Sequence, residues 1–356
     1  MRTPTSRLAP FTRLPLFALI AACSLLSACA VKPINIEAHA TQAGKMEPGG
    51  MEDAFRFVQS VREPESIVLI YDASGSMAWP IREGGEARFG PTYKALLQFV
   101  ERTARHDKLA IIVYGSQLPS GVMDGKVLNA ARAKASCNDD IRVVQALQPA
   151  KDRADIKSRL THLARANSYR GDTPLGNSMM KAAELLANTP GEKRVVVLTD
   201  GAEECHPQIA GSVSPKDAVR KLKEADITVD IVFSGGGLDS KGVASERSRE
   251  NTRTLSELAT GQFLEAGSYD ELVNALLRIE IAKFRYELID NKGGVAASAN
   301  LGQQITLPSG QYTFRGLKAR GFNKPVTLPA ARAARIYLAL SSEEDATPDI
   351  LVVAEK

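Results

Sequence analysis

Acidic and hydroxyl side chains alternate directly after an apolar run near residue 70. The run from Ile67 to Tyr71 is uniformly apolar and too short for a helix, so it predicts a buried strand of a parallel sheet. Asp72, Ser74 and Ser76 follow it, and Gly75 allows the backbone to curl tightly there. A carboxylate and two hydroxyls that face one point suit Mg²⁺, which takes about six oxygen ligands. Taken alone, this spacing is also ordinary turn chemistry.

Two later loops carry the same kinds of side chain. Thr173 lies in the Gly-rich loop from Gly171 to Gly176, and Asp200 follows the apolar run from Arg194 to Thr199. In open α/β sheets, loops that leave the carboxyl ends of the strands point polar groups into a common crevice. The loops therefore predict one oxygen-rich site at the edge of a sheet.

The elements around these loops alternate between strand and helix patterns. This order predicts a doubly wound, mainly parallel sheet with helices on both faces. An edge strand is expected from Val122 to Ala130, extended by Ile141 to Val144. The other expected strands are 67–71, 108–114, 194–199, 227–233 and 262–264, and the expected helices are 91–106, 151–164, 176–187, 216–224, 251–259 and 269–281.

The three loops, in this order and on this α/β pattern, resemble the von Willebrand factor A (VWA) domain and its metal-ion-dependent adhesion site. The resemblance covers residues 66–281, predicts a VWA domain of residues 66–283 and implies a Rossmann-like fold. It implies that the hydroxyls bind the metal directly and that the two aspartates act through water. Carried over, the metal residues are Asp72, Ser74, Ser76, Thr173 and Asp200. The expected ion is Mg²⁺, with Mn²⁺ and Ca²⁺ as alternatives.

The charges of this set predict what the ion does. Two carboxylates offset the double charge of the ion, and neutral hydroxyls leave it able to accept one more anionic oxygen. An Asp or Glu of a partner protein or surface ligand is the expected source. Glu203 and Glu204 follow Asp200 closely and are interpreted as a solvated loop or as carboxylates at a helix start.

The first 28 residues are typical of a lipoprotein signal peptide, with a secretory signal that carries an incidental cysteine as the alternative. Three arginines precede an apolar core from Leu14 to Leu26, which is too short for a membrane span. The end of this core resembles the lipobox of bacterial lipoproteins, with Cys29 as the lipidated first residue; Cys23 is a weaker candidate because it would shorten the core. The resemblance to these lipoproteins implies the outer membrane of a Gram-negative bacterium, because Ala30 and not an aspartate follows the cysteine. A lipid on Cys29 would anchor the protein in the cell envelope.

Export also decides how the other cysteines are interpreted. Cys137 and Cys205 remain after the leader, and an even pair in an oxidising compartment predicts a disulfide.

The three leader arginines account for most of the formal charge of +4, so the mature chain is almost neutral. No basic cluster interleaved with aromatic residues is present, which argues against nucleic acid as a partner.

The ends of the mature chain differ from its centre. Residues 29–65 are polar with several Pro and Gly breakers, and they are interpreted as a tether with a short helix from Met51 to Val61. Residues 284–356 contain seven short strand patterns with turn signals between them, which predicts a small β-sandwich-like domain.

Three function classes are consistent with these features. The favoured class is a lipid-anchored protein that binds a ligand through its metal and is not an enzyme. A metal-dependent hydrolase or phosphatase is an alternative, but a dehalogenase-type phosphatase needs a second carboxylate where Ser74 stands. A structural envelope scaffold with a purely stabilising metal is the third class.

Overall fold

A computed structural model describes residues 33–40, 48–80, 85–123, 126–201, 203–234, 246–319, 322–340 and 348–355. The predicted signal peptide and Cys29 lie outside these residues. Within them, no helix combines the length and apolarity needed to cross a bilayer.

The elements alternate through the centre of the chain and become all-β at its end. The strands are β1 Pro33–Ala40, β2 Glu65–Asp72, β3 Lys108–Tyr114, β4 Val122–Met123, β5 Lys126–Val127, β6 Ile141–Pro149, β7 Glu192–Thr199, β8 Ile227–Phe233, β9 Phe263–Glu265, β10 Arg285–Ile289, β11 Val295–Asn300, β12 Gln304–Pro308, β13 Gly310–Leu317, β14 Asn323–Leu328, β15 Ala333–Leu340 and β16 Pro348–Glu355. The helices are α1 Met51–Val61, α2 Phe89–Arg102, α3 Ala130–Asp139, α4 Arg153–Arg159, α5 Leu175–Leu186, α6 Pro215–Glu224, α7 Glu246–Leu258 and α8 Tyr269–Ile281.

The central sheet has six strands in the order β6-β3-β2-β7-β8-β9. All its pairs are parallel except that of β3 with the edge strand β6. The strand order reverses between β2 and β7, so the predicted doubly wound α/β class is confirmed.

Both faces of this sheet are covered, which explains why its strands are apolar throughout. Every residue of β2 is buried. Ile67, Leu69 and Tyr71 pack on one face with α2 and α8, whereas Val68 and Ile70 pack on the other with α5 and α6. Two separate cores therefore hold the strand whose last residue is Asp72.

The edge of the sheet differs from the prediction. The edge strand β6 is longer than expected, and the expected strand from Val122 to Ala130 is wrong, because β4 and β5 pair with each other in a small hairpin. The following helix α3 was not predicted. Its sequence is rich in alanine and polar residues and has only a weak apolar face.

Two four-stranded sheets, β12-β1-β15-β16 and β11-β10-β13-β14, form the additional β domain. Its seven C-terminal strands confirm the seven predicted patterns. The tether interpretation is wrong for Pro33–Ala40, because β1 pairs with both β12 and β15 and buries Ile34, Ile36 and Ala38 between the sheets. The predicted helix from Met51 to Val61 is confirmed, and its Phe57 packs in the same core. The small domain thus gains apolar area from a segment far away in sequence.

Candidate metal-binding site

The three predicted loops meet at the carboxyl edge of the central sheet. β2 and β7 are parallel neighbours with Tyr71 opposite Leu198, so Asp72 and Asp200 lie at the same edge. The third loop joins them because the Gly75 N–H donates to the Gly171 carbonyl over 3.0 Å. Thr173 follows two residues later and is buried.

Two glycines allow this close approach. Gly115, at the end of β3, has φ +73°, and a Cβ there would lie 2.8 Å from the Ser74 backbone. A Cβ on Gly171 would lie 2.6 Å from the Gly115 Cα. Larger residues at either position would push the loops apart.

Asp72 is fully buried and held from two sides. Its Oδ1 accepts a 2.8 Å hydrogen bond from the Ser74 N–H, and its Oδ2 accepts one from the Thr199 hydroxyl. The Tyr114 hydroxyl lies 3.2 Å from that of Thr199 and continues the chain into the core. These contacts fix the carboxylate within the sheet edge.

Asp200 is fixed in a similar way. Its Oδ1 accepts a 2.8 Å hydrogen bond from the Ser76 hydroxyl, and its Oδ2 accepts a 2.8 Å bond from Nη1 of Arg88. The same Nη1 also donates to the Ser76 carbonyl. Arg88 therefore neutralises Asp200 and ties it to the loop of the two serines.

The two serine hydroxyls have the spacing of neighbouring metal ligands. Their Oγ atoms lie 3.1 Å apart. Adjacent ligands of an octahedral Mg²⁺, with bonds of about 2.1 Å at right angles, lie about 3.0 Å apart. The described residues contain no group of three or more His, Cys, Asp or Glu that could hold a metal; the candidate set has two carboxylates and three hydroxyls. Its residues fit a hard divalent cation.

Thr173 contacts a carboxylate of the neighbouring loop. Its hydroxyl donates to Oε2 of Glu204 over 3.4 Å, and its carbonyl accepts the Glu204 N–H over 3.1 Å. Glu203 points instead to the start of α5, where it accepts the Gly176 N–H over 2.7 Å. The helix-start interpretation is therefore confirmed for Glu203, whereas Glu204 faces Thr173.

Burial shifts the proton affinity of two carboxyls here. Burial raises the pKa of Asp200, and the negative charge of Asp72 raises it further, against the opposing effect of Arg88. Burial raises the pKa of Glu203 to about 7, although hydrogen bonds from backbone N–H groups, that of Gly176 first, oppose the shift. A cation at the edge would offset the negative charge that Asp72 and Asp200 share.

The predicted disulfide between Cys137 and Cys205 is confirmed. It joins α3 to the loop after β7 and is buried with Val122, Ala133 and Ile209. Because Cys205 directly follows Glu204, the bond braces the loop that contacts Thr173.

The sequence reasoning missed Arg88, Thr199 and the role of Glu204. Arg88 lies at the start of α2, where the helix dipole disfavours a cation unless an anion is close by. Its position at the start of a helix could therefore have predicted an acidic side chain close to Arg88. Thr199 carried no comparable signal, because a threonine at the end of a strand is common.

Comparison with known proteins agrees with this geometry. Residues 66–264, more than half of the chain, match the von Willebrand factor type A domain. Among curated proteins, none matches the chain.

Several solved structures match parts of the chain. An aerotolerance-related membrane protein from Bacteroides fragilis is 14% identical, with a TM-score of 0.42, over 61% of this chain and 98% of its own. The pilus adhesin SpaC from Lactobacillus rhamnosus GG is 13% identical, with a TM-score of 0.44, over 78% of this chain and 45% of its own. A von Willebrand factor type A protein from Catenulispora acidiphila is 14% identical, with a TM-score of 0.41, over 75% of this chain and 66% of its own. The matched domain and the three loops at its sheet edge together establish that the chain belongs to the von Willebrand factor type A domain family.

Proposed function

We propose that this protein captures a protein or surface ligand through a divalent cation held at the edge of its VWA domain. The metal residues of the proposal are Asp72, Ser74, Ser76, Thr173 and Asp200. The observation that carries it is the 3.1 Å separation of the Ser74 and Ser76 hydroxyls beside two buried carboxylates. The ion would supply a Lewis-acidic point for an anionic oxygen of the partner.

The hydrogen bonds of the two aspartates support a division of roles around the ion. All four carboxylate oxygens of Asp72 and Asp200 already accept hydrogen bonds from the protein. These bonds support direct ligation by the neutral hydroxyls, with the acids acting through water and charge. Such an ion keeps more of its positive charge than one with direct carboxylate ligands, which favours an acidic partner.

The proposal also includes a place in the cell. The leader and lipobox support export and lipid anchoring on Cys29, in the outer membrane of a Gram-negative bacterium. Replacing Cys29 with Ser should move the protein from the membrane fraction to the soluble fraction of the envelope. Unchanged membrane association of that variant would argue against the anchor.

A metal-binding test addresses the site directly. Calorimetric titration with Mg²⁺, Mn²⁺ and Ca²⁺ should give one site in the wild type and none in Thr173→Ala. Thr327→Ala serves as a matched control, since Thr327 is exposed on β14 of the other domain. Affinity purification from envelope extracts should then recover a partner that is lost in chelator and with Thr173→Ala. Capture that persists in chelator would contradict the proposal.

One observation favours a scaffold with a stabilising metal instead. Glu204 lies 3.4 Å from the Thr173 hydroxyl and is close enough to complete the metal shell from within the chain. A scaffold of this kind predicts that chelation lowers the melting temperature and leaves partner binding unchanged. The two readouts therefore distinguish the two functions.

A further inference from the structure

The only tryptophan of the chain stands beside the proposed metal site. Trp79 follows Ser76 by three residues, and its N–H donates to the Ser76 carbonyl over 3.0 Å. Its own carbonyl accepts the N–H of Arg88 over 3.0 Å. The backbone of Trp79 is therefore fixed between two residues that both contact Asp200.

The side chain of Trp79 is 58% exposed. The other exposed large apolar side chains among the described residues are aliphatic, and several lie on the β domain or on the sheet edge strand. A tryptophan is usually largely buried, because its ring removes a large apolar area from water. At protein interfaces, tryptophan is among the residues that most often dominate the binding energy. The exposed ring thus offers an apolar contact on a backbone that is already ordered.

The same edge favours a carboxylate next to this ring. Glu204 holds a carboxylate oxygen 3.4 Å from the Thr173 hydroxyl, which marks a place where an acidic group fits. With a divalent ion bound, the ion and Arg88 together carry more positive charge than Asp72 and Asp200 offset. An incoming carboxylate can therefore take the place of Glu204 beside the ion.

We infer that Trp79 is a specificity-determining residue for the partner, which presents an Asp or Glu side chain flanked by a large apolar side chain. The inference rests on the proposed function and narrows its partner to a protein segment of this composition. The carboxylate would reach the ion while the apolar neighbour covers the ring of Trp79. Acidic polysaccharides also carry carboxylates. Preferred binding of such a polysaccharide would contradict the inference that the partner is a protein.

Immobilised peptides test this inference on the full mature protein. One peptide set carries a central Asp flanked by Leu or Phe, a second carries the Asp flanked by Ser, and a third replaces the Asp with Asn. A polyuronate surface provides the carbohydrate comparison. Each probe is used with the wild type, Trp79→Ala, Trp79→Phe and Leu351→Ala in Mg²⁺ and in chelator. Leu351, 46% exposed on β16, is the matched control for loss of exposed apolar surface.

The wild type should bind the Leu- and Phe-flanked Asp peptides at least tenfold more tightly than the Ser-flanked ones, and only in Mg²⁺. Trp79→Ala should lose this preference while its calorimetric Mg²⁺ affinity stays unchanged. Trp79→Phe should keep part of the preference, and Leu351→Ala should keep all of it.

The possible failures are separable. Metal-dependent binding of all Asp peptides, whatever their neighbours, would overturn the role of Trp79 and leave the proposed function standing. If Trp79→Ala kept the preference for Leu- and Phe-flanked peptides, the role of Trp79 would likewise be overturned and the proposed function would stand. Tighter binding of polyuronate than of any peptide would overturn the protein partner. Absence of metal-dependent binding to every acidic probe would overturn the proposed function together with this inference.

Discussion

Replacing Asp107 with Asn should destabilise the junction between the two domains far more than a change of one charge on the surface. Asp107 is fully buried at the start of β3. Its Oδ1 accepts bonds from Nη1 of Arg62 over 2.8 Å and from the Glu65 N–H over 3.0 Å, and its Oδ2 accepts Nη2 of Arg62. Arg62 directly follows α1, which packs in the core of the β domain. The pair therefore links the β domain to the VWA domain.

The size of the effect follows from what Asn leaves behind. Arg62 has a side chain that is only 7% exposed, and without Asp107 its nearest remaining carboxylate in the structure is that of Glu280, at 3.5 Å. Removing one partner of a buried ion pair costs about 3 to 5 kcal/mol, because the other charge stays buried without full compensation. For a chain of this size, such a loss lowers the melting temperature by roughly 5 °C.

Urea unfolding can measure this loss in each domain. Fluorescence of Trp79, the only tryptophan, reports on the VWA domain, and far-ultraviolet circular dichroism reports on both domains. Asp217→Asn is the matched control, since Asp217 pairs with Arg220 on the surface and its loss should cost less than about 1 kcal/mol. Arg62→Met combined with Asp107→Leu should recover most of the stability, because it removes both charges together.

Two results would refute this reasoning. The first is unfolding of Asp107→Asn within about 1 kcal/mol of the wild type, which would mean that water reaches the pair and screens it. The second is a double variant that is as unstable as the single one, which would mean that the cost lies in packing and not in an uncompensated charge.

Three further predictions concern acid, the rim of the metal site and the disulfide. Burial alone would raise the pKa of Glu65, but the cations around it, Lys283 first, outweigh burial and lower that pKa to about 2. The stabilising contribution of Glu65, about 3 kcal/mol, should therefore be present above pH 4.5 and be lost as the pH falls towards 2. Melting temperatures measured across this pH range should show the loss, and Glu65→Gln should make the melting temperature less dependent on pH there. Glu204→Gln should strengthen capture of acidic peptides severalfold, as measured by calorimetry in Mg²⁺, because it removes a competing carboxylate; weaker capture would instead make Glu204 part of the partner site. The Cys137→Ala/Cys205→Ala variant opens a link across 68 positions and should lose about 4 kcal/mol of unfolding free energy, whereas a loss below about 1 kcal/mol would show that the loop is held by its other contacts.

The positions of the site residues could be predicted because of the parallel sheet. Each apolar run that ends in an aspartate is buried on both faces, so its pattern identifies it as a central strand. Parallel strands place their carboxyl ends at one edge, which brings Asp72 and Asp200 together although 128 positions separate them. That the strands before these two aspartates are direct neighbours was implied by the resemblance to the VWA domain, and the structure confirms it.

Contacts between distant elements could not be predicted in the same way. The segment Pro33–Ala40 alternates apolar and other residues with the period of a strand, but Pro and Gly nearby favoured a tether. Its partners, β12 and β15, lie roughly 270 to 300 positions later, and no local pattern specifies such a pairing. Arg88 was missed for a related reason, since its bond to Asp200 depends on where α2 begins relative to β7.

The hydrogen bonds of the two aspartates favour a binding site over a closed structural one. If Asp72 and Asp200 were free to turn, they would be the strongest ligands for a cation and would neutralise it fully. Instead, each of their oxygens is engaged by a protein donor, and the buried chain from Tyr114 through Thr199 holds Asp72 in the sheet. An ion bound to the hydroxyls would thus remain attractive to another carboxylate. Glu204 and the carboxylate of a partner would compete for that position. The strength of capture should therefore depend on the contacts that the partner makes besides its carboxylate. The exposed ring of Trp79, three positions after Ser76, offers such a contact.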